Sequence, residues 1–118
     1  MILVDTSVWV DHLRVGDARL TDLLEGNAVV MHPFIVGEIA CGSLADCALT
    51  LDLLQQLPMA AVAESAEVLG YIERQSLHGK GIGYVDVHLL ASAALDGTKL
   101  WTRDKKLLAV ARELGCAV

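Results

Sequence analysis

The sequence predicts an α/β protein, a three-layer α/β/α sandwich around a central and mainly parallel sheet. Short apolar segments rich in β-branched residues alternate along the chain with longer segments of helical spacing. No repeat, low-complexity segment or long linker interrupts this alternation, so residues 1–118 are expected to form a single domain. Hydrophobic residues make up 54% of the chain, and a sheet covered on both faces would bury much of that surplus.

Short apolar segments predict the strands, which are expected at residues 2–4, 28–31, 59–62, 99–102 and 116–118. The first is closed by Asp5-Thr6-Ser7, which suits a buried strand that leads into a helix N-cap. Because helices separate the strands, the strands are expected to run parallel, with any ligand bound at their carboxyl ends.

Segments with helical spacing predict the helices, which are expected at residues 8–14, 18–25, 33–41, 46–56, 64–77, 84–95 and 105–114. Pro33 suits the first turn of the third helix, and Pro58 follows the end of the fourth. The glycines at 79, 81 and 83 follow a helix rather than a strand, and no Gly-Lys-Ser/Thr comes after them. We therefore interpret 79–83 as a flexible connection and not as a phosphate-binding loop.

Composition predicts where the protein is located but does not decide whether it binds nucleic acid. Cys41, Cys47 and Cys116 form no CxxC pair and are expected to be reduced core residues of a cytoplasmic protein. No run approaches the ~18 apolar residues of a membrane span, so no membrane contact is expected. The net charge of −6 argues at first against a nucleic-acid partner. If four of the 15 acids bound metal, 11 would remain against nine bases, so charge does not decide the matter.

Two candidate site residues follow predicted strands. Asp5 comes directly after the first strand, and Asp104 follows the strand at 99–102. Both are expected at the carboxyl edge of the sheet, where α/β folds place their chemistry. An ordinary helix cap or turn explains either residue taken alone.

Two further candidates lie on helix faces that are otherwise apolar. Asp86 shares its face with Leu89, Leu90 and Ala93, and Glu38 follows Phe34 and Ile35 on a helix almost free of charge. A carboxylate facing the core costs several kcal/mol unless a partner stabilises it. A helix-start acid explains Asp86 as well, and a surface residue explains Glu38.

Four carboxylates in one pocket would need a counter-charge. Two charges ~4 Å apart repel by ~4 kcal/mol at an effective dielectric constant near 20. An all-oxygen ligand set suits Mg²⁺ or Mn²⁺ rather than zinc. Such ions polarise a phosphodiester and lower the pKa of bound water, which points to phosphodiester hydrolysis.

Short motifs around these acids run through the whole chain. They are Ile2-Leu-Val-Asp-Thr-Ser7, Glu38-Ile-Ala-Cys-Gly42, Gly83-Tyr-Val-Asp-Val-His-Leu-Leu-Ala-Ser-Ala93 and Leu100-Trp-Thr-Arg-Asp104. In order and spacing the chain resembles the PIN-domain nucleases, and among them the VapC toxins of toxin–antitoxin pairs.

The resemblance implies a metal-dependent endoribonuclease that cleaves structured cellular RNA and inhibits translation until a cognate antitoxin blocks its site. It also implies a homodimer, with operator DNA bound only through the antitoxin, and products with 5′-phosphate and 3′-hydroxyl ends. Carried over by position, Asp5 and Asp86 are the firmest metal ligands, and Glu38 and Asp104 complete the catalytic set.

Polar residues beside the acids are candidate substrate contacts: Thr6, Ser7, Thr102 and Arg103. The hydroxyl groups would orient Asp5, Asp104 or a phosphate, and Arg103, with Lys105 and Lys106, would contact RNA phosphates. Capping and a solvated helix start explain the same residues without a substrate.

Other function classes remain open or fit less well. A PIN fold that only binds RNA or a protein partner, and a PIN nuclease of RNA processing, are both compatible with the sequence. A receiver-like module would need a second acid beside Asp5, where Thr6 stands. A dehalogenase-type phosphatase would need an acid at the position of Ser7.

Overall fold

The computed structural model describes residues 1–118 and contains three strands and seven helices. The strands are β1 (Ile2–Val4), β2 (Val29–Val30) and β3 (Lys99–Trp101). The helices are α1 (Thr6–Val15), α2 (Ala18–Glu25), α3 (Pro33–Ala40), α4 (Cys47–Gln55), α5 (Ser65–Gln75), α6 (Tyr84–Asp96) and α7 (Lys105–Glu113). All seven predicted helices are therefore present, with ends that differ from the predicted ones by a few residues.

The sheet is parallel, in the order β2-β1-β3, as the alternation of elements predicted. In β1, Leu3 and Val4 point to opposite faces, and neither is exposed to solvent. Helices must therefore cover both faces of the central strand, which confirms the predicted α/β/α layering. β1 pairs with β3 from Ile2↔Lys99 to Val4↔Trp101, so both strands end at the same edge.

Two predicted strands are wrong as strands. In 59–62 only Met59 pairs, through an isolated parallel bridge to Met31, and in 116–118 only Ala117 pairs, with Leu100. The pairing of Met31 with Met59 cannot extend into a longer ladder because the chain enters α3 at Pro33, which has no N–H to donate. Beyond Met59, moreover, the Ala61 N–H donates to the Asp96 side chain and not to a strand.

The first and sixth helices prepare the site. α1 begins at Thr6, two residues earlier than predicted, because Asp5 accepts from the Ser7 N–H as N-cap. α6 is buried without interruption from Val87 to Ala93, so it lies in the interior and brings the residues of its first turn to the edge of the sheet.

Cys41 and Cys47 do not belong to the core, contrary to the sequence prediction, whereas Cys116 packs against it. Cys41 is exposed, Cys47 and Cys116 are half-buried, and all three are free thiols. Cys41 follows the last residue of α3, where the chain turns towards solvent, so a position outside the apolar stripe explains its exposure.

None of the helices is both long enough and apolar enough to cross a membrane.

Candidate active site

Asp5 lies at the carboxyl end of β1 and is 6% exposed. Its backbone N–H donates to the Trp101 carbonyl at 2.8 Å, which extends the pairing with β3 by one residue. Its side-chain Oδ2 accepts hydrogen bonds from the hydroxyl of Ser7 at 2.7 Å and from that of Thr102 at 2.8 Å. The buried carboxylate is thus fixed by donors from two neighbouring strand ends.

The segment after β3 is fastened to the same cluster. The Asp104 N–H donates to the Thr102 hydroxyl at 3.1 Å, and the Arg103 N–H donates to the Ser7 hydroxyl at 3.0 Å. Asp104 is the N-cap of α7, because its Oδ1 accepts from the Leu107 N–H at 2.9 Å. The expected cap is therefore present, and it also places the Asp104 carboxylate at this edge.

Asp86 occupies the first turn of α6 and is half-buried. Its Oδ2 accepts from the Gly83 N–H at 3.1 Å. Burial raises the pKa of the Asp86 carboxyl, and the negative charges of Asp5, Asp104 and Glu38 raise it further, whereas the Gly83 N–H opposes the shift. All four predicted acids therefore lie close enough to interact electrostatically.

Glu38 differs from the prediction in its environment. Its side chain is exposed rather than core-facing, because Ile35 and Ile39 form the buried stripe of α3. It faces α1, where its Oε1 accepts from the Thr6 hydroxyl at 2.7 Å. Thr6 thus orients Glu38, and not Asp5, Asp104 or a phosphate as the sequence predicted.

The four carboxylates share one property. In each, a single oxygen accepts all the internal hydrogen bonds, and the other oxygen accepts none. Three of the groups also lie at helix N-termini, where backbone dipoles favour negative charge. The protein therefore stabilises each carboxylate at one oxygen and leaves the other available for an external ligand.

This donor set fits a hard divalent cation. No group of three or more ligand side chains is close enough to hold one ion between them. An ion at this edge would instead be held by one or two carboxylates and by water, which is the usual arrangement for Mg²⁺ in proteins. The half-buried and repelling Asp86 is the group that such an ion would stabilise most.

Comparison with known proteins identifies the family. The PIN-domain model matches residues 2–113, almost the whole chain. The chain belongs to the PIN-domain family. It is 48% identical over 119 residues to ribonuclease VapC32 of Mycobacterium tuberculosis, in both strain CDC 1551 and strain H37Rv, and the alignment covers all of this chain and 96% of the relative.

Three solved structures share the fold of this chain at low sequence identity. The structure of PAE2754 from Pyrobaculum aerophilum has a TM-score of 0.68 at 18% identity, covering 99% of this chain and 87% of that one. The structure of FitAB bound to an IR36 DNA fragment has a TM-score of 0.66 at 22% identity, covering 95% of this chain and 91% of that one. The structure of FitAcB from Neisseria gonorrhoeae has a TM-score of 0.64 at 22% identity, covering 95% of this chain and 94% of that one. These likenesses confirm the predicted PIN-like α/β architecture.

The predicted substrate contacts of this PIN domain are engaged within the protein. Thr6 donates to Glu38, and Ser7 and Thr102 donate to Asp5. The Arg103 guanidinium is engaged by two acids, with Nη1 2.6 Å from Asp11 Oδ2 and Nη2 against Asp17 Oδ2. Its contact with RNA therefore stays a prediction.

The acidic partners of Arg103 and the environment of His32 could not be recognised from the sequence. Asp11 and Asp17 carry no motif, and only the fold brings them to residue 103. His32 is fully buried, accepts from the Phe34 N–H at 3.0 Å as N-cap of α3, and contacts the Ser92 hydroxyl at 3.1 Å. Burial, together with nearby His88, lowers the pKa of His32 to about 4, so it is neutral and structural in this PIN domain.

Proposed function

We propose that this PIN domain is an endoribonuclease that depends on a divalent cation, Mg²⁺ or Mn²⁺ in its place. One observation carries the proposal: Asp5, Glu38, Asp86 and Asp104 come from four separate parts of the chain to one edge of the sheet, and each keeps a free oxygen. The 48% identity to a relative named as a ribonuclease supports RNA as the substrate class.

Each carboxylate has an assigned role in this proposal. Asp5 and Asp86 hold the cation, which when bound would polarise the scissile phosphodiester and lower the pKa of a water molecule. Glu38 or Asp104 orients or deprotonates the attacking water, whose oxygen bonds to phosphorus in line with the departing 3′ oxygen. The 3′ oxygen takes up a proton, which leaves 3′-hydroxyl and 5′-phosphate ends. Ser7 and Thr102 keep Asp5 in place throughout.

An acidic protein that binds RNA also needs a positive group beside its carboxylates. Lys106 makes no salt bridge, and its side chain lies against Gly81 in the loop that leads to Asp86. Lys105 and Lys106 open α7, although cations at a helix N-terminus are unfavourable for helix stability. Residues that break a local rule are expected at functional sites, and we assign Lys106 to a phosphate of the substrate.

We also propose that this endoribonuclease is a toxin that inhibits translation until a cognate antitoxin blocks its site. A cleft of about 360 Å³ opens between α1 and α3 beside Glu38, and its apolar lining includes Val10, Leu13, Ile39 and Leu44. A segment of a cognate antitoxin docked in this cleft would cover Glu38 and block the site. In this proposal the protein meets operator DNA only through the antitoxin.

The proposed homodimer is supported by exposed apolar side chains on the helices. Leu49 and Leu53 on α4, Leu69 on α5 and Leu95 on α6 are 55–62% exposed. These leucines account for part of the high hydrophobic content of the chain, and a dimer interface would bury them. Light scattering at micromolar concentration tests this element separately from catalysis.

Incubation of total cellular RNA with the purified protein, followed by sequencing of the RNA ends, tests the proposed activity. Discrete new 5′-phosphate ends are expected with Mg²⁺ and none with EDTA. The matched control is Asp86→Asn, which removes one charge and keeps an oxygen to accept from Gly83. Binding of RNA without cleavage in both Mg²⁺ and Mn²⁺ would contradict the proposal and favour a non-enzymatic binding module.

A further inference from the structure

The side chain of Arg103 lies in a small network of charges outside the carboxylate site. Its guanidinium bridges Asp11 on α1 and Asp17, the N-cap of α2, and lies 5.7 Å from the Trp101 ring centre. The Asp17 carboxylate is shared, since Oδ1 accepts from the Leu20 N–H at 2.9 Å and Oδ2 from Arg103. These contacts join α1 and the start of α2 to the segment after β3.

The pKa values of the partners reflect the same contacts. Hydrogen bonds to Asp11 and then to Asp17 raise the pKa of the Arg103 guanidinium. The Leu20 N–H, followed by Arg103, lowers the pKa of the Asp17 carboxyl. Both groups are therefore charged at neutral pH.

The backbone of residue 103 lies inside the carboxylate site, although its side chain does not. Its N–H donates to the Ser7 hydroxyl, which in turn donates to Asp5. On either side of residue 103, the Thr102 hydroxyl donates to Asp5 and Asp104 begins α7. Movement of this short segment would therefore disturb both carboxylates that follow strands.

We infer that Arg103 is a positioning residue, which through Asp11 and Asp17 ties the 102–104 segment to α1 and so holds Asp5 and Asp104 in their working geometry. The inference rests on the proposed nuclease function. It differs from the interpretation of Arg103 as a direct RNA contact, because the positive charge of the guanidinium is already offset by two carboxylates that would repel a phosphate.

The two interpretations predict opposite effects when the acidic partners are removed. If Arg103 positions the segment, the double variant Asp11→Asn/Asp17→Asn loses activity as Arg103→Gln does. Asp11 also pairs with the exposed Arg14 at 3.8 Å, so RNA affinity is compared with that of the triple variant, which lacks the same two acids. If Arg103 binds RNA, the double variant frees its guanidinium and binds RNA more tightly than the triple variant does. Asn at position 17 remains a good N-cap for α2, so the substitution leaves that helix intact.

Steady-state cleavage kinetics give the first test. We expect Arg103→Gln to lower kcat about tenfold with KM changed less than about twofold, since small misplacements of catalytic groups are costly. The double variant should match this loss, the triple variant should lose no more, and Arg103→Lys, which keeps a single contact, should recover part of the activity. Glu113→Gln, which breaks the Lys80–Glu113 ion pair away from the segment, is the matched control and should keep wild-type kinetics.

Salt dependence of RNA binding gives the second test. A fluorescein-labelled, mixed-sequence 20-nucleotide RNA is titrated against protein carrying Asp86→Asn, which prevents cleavage. The slope of log affinity against log salt should be unchanged by Arg103→Gln. A slope smaller by about 0.7 would indicate a lost phosphate contact and would overturn the inference.

Amide hydrogen exchange supplies a readout that does not depend on activity. The Arg103 and Asp104 amides should exchange about tenfold faster in Arg103→Gln and in the double variant, with the β2 amide of Val30 as internal control. Unchanged exchange at 103 and 104 would overturn the inference even if kcat fell. Faster exchange in a protein that cleaves no RNA would instead support the positioning role and contradict the proposed function.

Discussion

The two halves of the acidic site are held in different ways. In the strand half, Asp5 is buried and accepts from Ser7 and Thr102, whose hydroxyls are fixed in turn by the segment after β3. In the helix half, Asp86 and Glu38 each accept one hydrogen bond from within the protein and are more accessible to solvent. Several donors thus fix Asp5 in the strand half, where the exposed Asp104 accepts only from the Leu107 N–H. In the helix half, Asp86 retains repulsion that a bound cation would relieve.

The largest expected effect is on cleavage when either half loses its charged ligand. Asp5→Asn and Asp86→Asn should each lower kcat/KM by about a thousandfold, because charge stabilisation by a metal is worth several kcal/mol and ~1.4 kcal/mol is tenfold. Both proteins should remain folded by circular dichroism. Asp52→Asn, on an exposed position of α4, is the matched control, and full activity in either site variant would contradict the ligand assignment.

A smaller effect is expected when the donors are removed. Ser7→Ala and Thr102→Val should each reduce kcat about tenfold and the free energy of unfolding by about 1 kcal/mol, the usual value of one hydrogen bond. Thr6→Val, which releases only the exposed Glu38, should reduce kcat about threefold. Equal losses for Thr6→Val and Thr102→Val would break the distinction between the two halves.

The helix half should also show its repulsion in stability. The raised pKa of Asp86 means that its ionised form is disfavoured in the folded state. The penalty is therefore complete above the folded pKa, decreases as pH falls through it, and is gone below the pKa of the unfolded chain. Without divalent cations, Asp86→Asn should raise Tm at pH 7 by a few degrees, and the difference should vanish near pH 3.

Added Mn²⁺ should reverse this order. Mn²⁺ should raise the Tm of the wild-type protein and leave Asp86→Asn nearly unchanged, because only a ligand that binds the folded state stabilises it. A wild-type protein that is the more stable of the two at pH 7 in EDTA would argue against unrelieved repulsion at Asp86.

An effect as small as that of Thr6→Val is expected at the proposed phosphate contact. Gly79 and Gly81 have φ values of +70° and +77°, so an alanine is strained at either position. Only at Gly81 would the new Cβ meet another side chain, at 2.8 Å from Lys106 Cδ. Gly79→Ala and Gly81→Ala should lower Tm by similar amounts. Only Gly81→Ala should weaken RNA binding, by about threefold. Equal RNA affinities would contradict the role of Lys106.

The sequence was sufficient to predict the helices, the parallel central sheet and the convergence of four acids at one edge of it, because each leaves a local sign. Asp5 and Asp104 follow apolar strands, and Asp86 interrupts an apolar helix face. The strand predicted at 59–62 failed because its pairing depends on where β2 ends, and Pro33 ends it. Local composition carries no information about that distant partner.

The supporting contacts of the site could not be predicted for a related reason. Asp11 and Asp17 are ordinary surface acids by pattern, and only the tertiary fold brings Arg103 between them. Glu38 was expected against the core because spacing cannot distinguish a buried stripe from the edge beside it. The rotation of the helix about its axis, relative to the sheet, decides whether a residue lies in the buried stripe or at its edge.

Anomalous diffraction from crystals soaked in Mn²⁺ shows directly whether separate carboxylates of this PIN domain form one cation site. We expect a peak at about 2.0–2.5 Å from oxygens of both Asp5 and Asp86, absent from crystals of Asp86→Asn. No peak at the carboxyl edge of β1, or peaks only on carboxylates elsewhere on the surface, would contradict it.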